Sequence, residues 1–208
     1  MNKSNLQNQD SGNVEYYTNI EIVNLVHKMF GEIDLDPASC LLANTTVQAK
    51  EIFTEEQNGL EQPWIAAKLW MNHPFTKGEK TCKPKKGRKK MCKKKNCIPK
   101  YKQGKLITRG HCITEDIPSN LEWIEKLLSE HYVGNVKESL NITFCNSSEK
   151  WCQLLLNAGV TCFINGRTQY NDSNGHKTNQ VTKGSIITYI GPRKDLFKEV
   201  FSSLGVVK

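Results

Sequence analysis

What the chain lacks narrows it first. No apolar run in its 208 residues approaches the ~20 that a membrane-spanning helix needs, so insertion into a membrane is excluded. Neither GxGxxG nor GxxxxGK[ST] occurs, so no pyrophosphate-cradling loop is indicated and a ligand without phosphate fits better. No internal repeat is visible. The first residues, MNKSNLQNQDSGN, have no apolar stretch of the kind that drives secretion. They read as a disordered tail over 1–13. This points to a cytoplasmic, reducing location.

Acid is missing from one place in particular. Between Cys82 and His111 there are 13 Lys and Arg and no Asp or Glu. Take these from the 29 basic residues and 16 remain against 21 acids, so the net charge of +8 comes from one segment of an otherwise acidic protein. Lysines alone would read as a solvated charge run. Here they are punctuated by Cys82, Cys92 and Cys97, with His111 and Cys112 following. In a reducing compartment clustered cysteines read as metal ligands before disulfides. Three Cys plus one His or Cys make a closed tetrahedral zinc set. Cys40, Cys145, Cys152 and Cys162 fall in apolar stretches and read as buried thiols.

The length suits one domain carrying a modest insertion. IEIVNLVHKMFG spaces Ile20, Ile22, Val23, Val26, Met29 and Phe30 helically, with Thr18 as N-cap candidate and Gly31 as the stop. EIDLDPAS reads as a short strand closed by Pro37, and LLANTTVQAKEIFTEEQNGLEQPW as a helix or irregular connection with a turn at Asn58-Gly59. AAKLWMN is a buried strand stopped at His73-Pro74. Beyond the lysines, SNLEWIEKLLSEHY is a helix with Ser119 as N-cap and Glu122 completing a capping box. SLNITFC, VTCFING and KGSIITYIG read as strands. SSEKWCQLLLNAG, opened by Ser147 or Ser148, and KDLFKEVFSSLG read as helices. Such alternation predicts an α/β sheet with helices on both faces. In such sheets ligands bind beyond the carboxyl ends of the strands, where DLDPAS and NHPF both fall.

Taken in order, YYTNIEIV, IDLDPAS, IFTEEQNGLEQPW, LWMNHPF and FINGRTQY resemble the Dam-type DNA N6-adenine methyltransferases of bacteriophages. The likeness covers nearly the whole chain after the tail. Each motif is weak alone; their order and spacing are specific. It implies a Rossmann-like S-adenosylmethionine-dependent methyltransferase domain over 14–208, with a small zinc-clipped basic insertion over 80–116. It implies double-stranded DNA as partner; protein partners are not indicated. The four residues NHPF match the family's NPP[YF], so Asn72 and the carbonyl of His73 would accept hydrogen bonds from the target amine. Phe75 would stack on a flipped base, and Pro74 would stiffen the turn. His73 replaces the family's first proline, which implies a looser turn. Asp34 or Asp36, with Pro37, would hold the cofactor's ammonium or ribose hydroxyls. Tyr17 and Thr18 match the opening motif at its methionine end, and Asn58 and Leu60 the element near its adenine. Some phage members carry a comparable insertion with a CKKKxC stretch, which favours His111 over Cys112 beside Cys82, Cys92 and Cys97. Lys86, Arg88, Lys89, Lys90, Lys93, Lys94, Lys95 and Arg167 would meet phosphates. A non-catalytic DNA-binding protein of the same fold, or a methyltransferase acting on RNA or protein glutamine, are the alternatives.

Overall fold

The computed structural model describes residues 16–82, 92–102, 104–171, 176–177, 181 and 183–208. The tail over 1–13 and Lys86, Arg88, Lys89 and Lys90 lie outside the described residues. The chain forms two compact units. One runs up to Phe75 and resumes at Asn120, and the other is Thr76–Ser119.

In the larger unit, seven strands form one sheet in the order β11 (Gly205–Val207), β9 (Val160–Ile164), β10 (Ser185–Ile190), β8 (Val136–Phe144), β3 (Ala66–Met71), β1 (Ile33–Asp36), β2 (Ala49–Ile52). Parallel pairing joins β2, β1, β3 and β8, while β10 runs antiparallel to β8 and β9, and β11 to β9. The sheet is thus mixed but mostly parallel in direction, compatible with a Rossmann-like fold. Side chains alternate across it as the pleat demands. From β3, Trp70 enters the core built with α1 (Ile20–Phe30) and α5 (Lys194–Phe201). Leu69 and Met71 enter the opposite core, with α3 (Asn120–Tyr132) and α4 (Lys150–Ala158). Helices therefore cover both faces.

Several local expectations need correction. The N-cap of α1 is Asn19, whose Oδ1 accepts from Ile22 N at 3.0 Å, because Thr18 is turned inward and buried. Ile20 is 53 % exposed, one turn too early for the apolar stripe. Gly31 does stop the helix, in left-handed backbone at φ 75 that glycine tolerates. The α4 N-cap position falls on Glu149, without a side-chain bond, and not on Ser147 or Ser148. The connection after β1 resolves into α2 (Leu41–Val47) and the strand β2, and β11 continues the chain beyond α5. FINGRTQY is a strand only as far as Ile164. Beyond a bend at Asn165 and Gly166 the chain comes beside residues 17–19, where Asn19 Nδ2 donates to Gln169 O at 2.7 Å and Tyr17 and Asn171 exchange backbone hydrogen bonds of 3.0 and 2.8 Å.

In the smaller unit, β4 (Lys77–Glu79) pairs antiparallel with β7 (Ile117–Ser119), and β5 (Tyr101–Lys102) with β6 (Lys105–Leu106). Among the described residues, no helix is long and apolar enough to cross a membrane.

Candidate active site and cysteine cluster

The chain leaves β1 toward β2 on one side and returns to β3 on the other, so the sheet's order reverses at the β1/β3 pair. A crevice beyond the carboxyl ends of the strands is the expected outcome of such a reversal. Here β1 ends in Asp36 and β3 delivers Asn72.

Asp36 is 2 % exposed. Its Oδ1 accepts from Ala38 N at 3.2 Å, and its backbone carbonyl accepts from Phe53 N at 3.1 Å, which ties the turn after β1 to the one after β2. Burial pushes the carboxyl up to about 7. No cation pairs with it among the described residues. Asp34 is differently placed. It accepts from Lys50 Nζ at 3.1 Å and Lys68 N at 2.9 Å, bonds that brace the strands rather than face a ligand.

The NGL turn packs against the same loop. Asn58 lies at φ 50, and a Cβ on Gly59 would come within 1.9 Å of the Pro37 carbonyl oxygen, so only glycine permits this approach. Trp64, fully buried, donates from Nε1 to Gly59 O at 2.7 Å and locks the turn. Leu60 is half-buried against the α3/α4 core. Tyr17 Oη lies 3.5 Å from Cys40 Sγ, which also caps α2 through Ala43 N.

At the end of β3, Asn72 donates from Nδ2 to Tyr16 O at 2.6 Å and to Thr18 Oγ1 at 3.1 Å. Both amide hydrogens are thereby spent, and Oδ1 makes no hydrogen bond among the described residues. His73 is buried and its imidazole is held near a pKa of about 4 by desolvation, against a smaller opposing effect from Asn120. The ring is therefore neutral. Phe75 is half-buried in an aromatic nest. Its ring stacks on Tyr16 at 6.1 Å between centroids, contacts Phe144 at 4.4 Å and Tyr170 at 6.2 Å, and meets His73 edge-on at 5.7 Å. Tyr170 is itself fixed, Oη to Ser185 Oγ at 3.0 Å. Tyr16, Phe144, Tyr170, Asn120 and Asn141 thus join the residues the motifs single out. Tyr16 and Tyr170 lie inside the quoted motifs; the other three carry no local signal. Arg167 is exposed.

A family model described as DNA N-6-adenine-methyltransferase (Dam) matches residues 3–205. The chain belongs to the Dam family. Its members are DNA adenine methyltransferases, and the chain is accordingly a methyltransferase by family. Comparisons with curated proteins and with solved structures each find no match.

In the smaller unit of this Dam-family chain, four thiols converge. The Sγ atoms of Cys82, Cys92, Cys97 and Cys112 all lie within 4.8 Å of one another, with Cys82–Cys97 at 3.4 Å and Cys82–Cys92 at 3.7 Å. These are free thiols, too far apart for a disulfide. The fourth corner is Cys112 and not His111, whose Nδ1 lies 3.0 Å from the Arg109 carbonyl. The backbone amide of Ile113 draws the Cys82 thiol down to about 7. Arg109 donates to Cys97 Sγ at 3.3 Å while its guanidinium grips both oxygens of Glu79 at 3.1 and 3.0 Å. Lys93 and Lys95 are exposed. Lys94 is engaged within the unit, donating to the carbonyls of Lys80 and Thr81 and pairing with Glu79 at 3.7 Å. Of Lys93, Lys94 and Lys95, it is thus Lys93 and Lys95 that remain open to a phosphate. Cys152 and Cys162 are buried as expected, whereas Cys40 and Cys145 are half-buried.

Proposed function

We propose that this chain methylates the exocyclic amine of an adenine flipped out of duplex DNA, with S-adenosylmethionine as donor. The observation that carries the reading is the pinned amide of Asn72. With Nδ2 spent on Tyr16 and Thr18, the oxygen is the side presented for reaction. An adenine amine is a weak nucleophile because its lone pair is delocalised into the ring. Acceptors aimed at its N–H groups return electron density to nitrogen, and they act most strongly where fixed in advance. Asn72 Oδ1 and the His73 carbonyl fill that role, Phe75 offers a ring face to the base, and Pro74 holds the turn extended.

Bound S-adenosylmethionine supplies an electrophilic methyl group on a sulfonium sulfur. The residues beyond β1 suit it. A buried carboxylate without a cation partner calls for a positive ligand group or hydroxyls, and Asp36 with Pro37 meets either. Tyr17 and Thr18 lie on the segment hydrogen-bonded to Asn72, and Asn58 and Leu60 on the turn packed against Pro37. Asp34, already paired, is left out of the assignment.

For the smaller unit the proposal is structural zinc on Cys82, Cys92, Cys97 and Cys112. A tetrahedron with Zn–S bonds of about 2.3 Å has edges of about 3.8 Å, close to the separations present. Such a clip substitutes for the apolar core that so hydrophilic a segment lacks. Lys93 and Lys95, with Lys86, Arg88, Lys89 and Lys90 from the same run and Arg167 from the larger unit, supply charge for DNA phosphates.

The test is methyl transfer from labelled cofactor to duplex DNA, RNA and protein in parallel. Label is expected in DNA as N6-methyladenine. Asn72→Ala should lower kcat by about 10²–10³-fold while leaving cofactor affinity within about twofold. Label confined to RNA or protein, or an undiminished Asn72→Ala enzyme, would overturn the assignment.

A further inference from the structure

The imidazole of His73 lies between two asparagines. Nε2 is 3.1 Å from Asn120 Oδ1 on α3, and Nδ1 is 3.5 Å from Asn141 Nδ2 on β8, a long contact. The protonation pattern follows from a third partner. Asn141 Nδ2 also lies 3.2 Å from the Met71 carbonyl, which can only accept, so the amide nitrogen must be the group on that side. His73 Nδ1, facing the same nitrogen, is then the acceptor. The ring proton is therefore on Nε2, and Asn120 Oδ1 accepts it. Each of the three side chains has one orientation that satisfies the others.

This arrangement stands where the resemblance places a proline. Proline fixes φ of its own residue near −65°, whereas histidine leaves that torsion free. Pro74 restrains the ψ side of His73 by its steric demand on the preceding residue. The remaining freedom is the one that swings the His73 carbonyl. We propose that the His73 imidazole is a positioning group: held between Asn120 and Asn141, it fixes the backbone carbonyl that serves as second acceptor for the target amine. Asn120 and Asn141 become positioning residues with it. The inference rests on the methyl-transfer reading and deepens it.

Among the described residues, the groups facing the ring are Asn120 and Trp123 from α3, Asn141 from β8 and Phe75 of its own turn, none of them ionisable. Charge can therefore be introduced at one point. In Asn120→Asp the carboxylate still accepts from Nε2 but favours the imidazolium. A protonated Nδ1 cannot accept from Asn141, and the clamp opens. With cofactor saturating, the ratio of this variant's kcat to that of wild type should fall on an acid limb between about pH 8 and 6, since Asp36 titrates alike in both. His73→Pro should lower kcat about ten- to a hundredfold with KM for DNA within about twofold. Nitrogen-15 NMR of the wild type, with His73→Gln for assignment, should give the Nε2–H tautomer persisting to about pH 5. His73→Pro turning over as fast as wild type, an Asn120→Asp profile without the acid limb, or an Nδ1–H tautomer would each overturn the proposal. If the wild type labels no DNA, the methyl-transfer reading fails, and the tautomer alone then decides whether the clamp exists.

Discussion

Replacing Asp36 by Asn tests the floor of the site by thermodynamics alone. Its carboxyl has a folded pKa of about 7 against 3.8 for an unperturbed aspartate. Between those values the folded state holds a proton that the unfolded state has lost, so its contribution to stability is full below about 3.8 and falls as pH rises through about 7. The gap of about 3 units corresponds to about 4 kcal/mol as an upper bound. Asn keeps an acceptor for Ala38 N and carries no charge to desolvate. The variant should therefore equal wild type near pH 4 and exceed it by up to about 4 kcal/mol at pH 8. Wild type alone would hide this. Burial holds His73 and His131 near about 4, below the ordinary imidazole value of 6.5. Their contribution is absent at low pH and gained as pH rises through 6.5, opposite in sign to that of Asp36. The difference between variant and wild type cancels both histidines, and urea unfolding at pH 4, 5, 6, 7 and 8 measures it. A difference flat with pH would refute the reasoning, since the carboxyl would then titrate alike in both states. A cation bound against Asp36 should also withdraw the penalty, so cofactor binding at pH 6 should expel a proton, read by calorimetry in buffers of differing ionisation heat.

The cysteine cluster predicts about one zinc per chain. Cys112→Ser should abolish stoichiometric metal whereas His111→Ala should leave it, as metal analysis after dialysis would check; the converse result would restore the histidine as ligand. The lysines should separate by role. Lys93→Ala with Lys95→Ala should flatten the slope of log K for duplex DNA against log salt by about 1.8, at ~0.9 per phosphate contact. Lys94→Ala should chiefly lower the unit's resistance to proteolysis, because its ammonium is occupied by Glu79 and two carbonyls. Equal slopes for all three would remove that distinction.

What could be read from sequence follows how far each feature reaches along the chain. The stripe of α1 and the apolar runs of β3 and β10 are written in neighbouring residues, so periodicity finds them. β11 escapes it because Gly205–Val207 is too short to show a period, and β2 because it lies at an edge of the sheet. Lys50 and Glu51 are exposed there, and the polarity that suits an edge erases the strand signature. Asn19 displaces Thr18 as cap for a tertiary reason: Asn72, 54 residues away, holds the threonine inward. The fourth thiol was ambiguous because His111 and Cys112 are adjacent and both ligate zinc; only the backbone path through Arg109 and Gly110 decides which faces Cys82. His73 shows the limit most clearly. Its motif position identifies a carbonyl, and the loss of a proline reads as lost rigidity. The stiffness returns from Asn120 and Asn141, 47 and 68 residues away. Because these bonds pass through side chains rather than a ring closure, the restraint can be weakened, recharged or broken one partner at a time, which a proline would not allow.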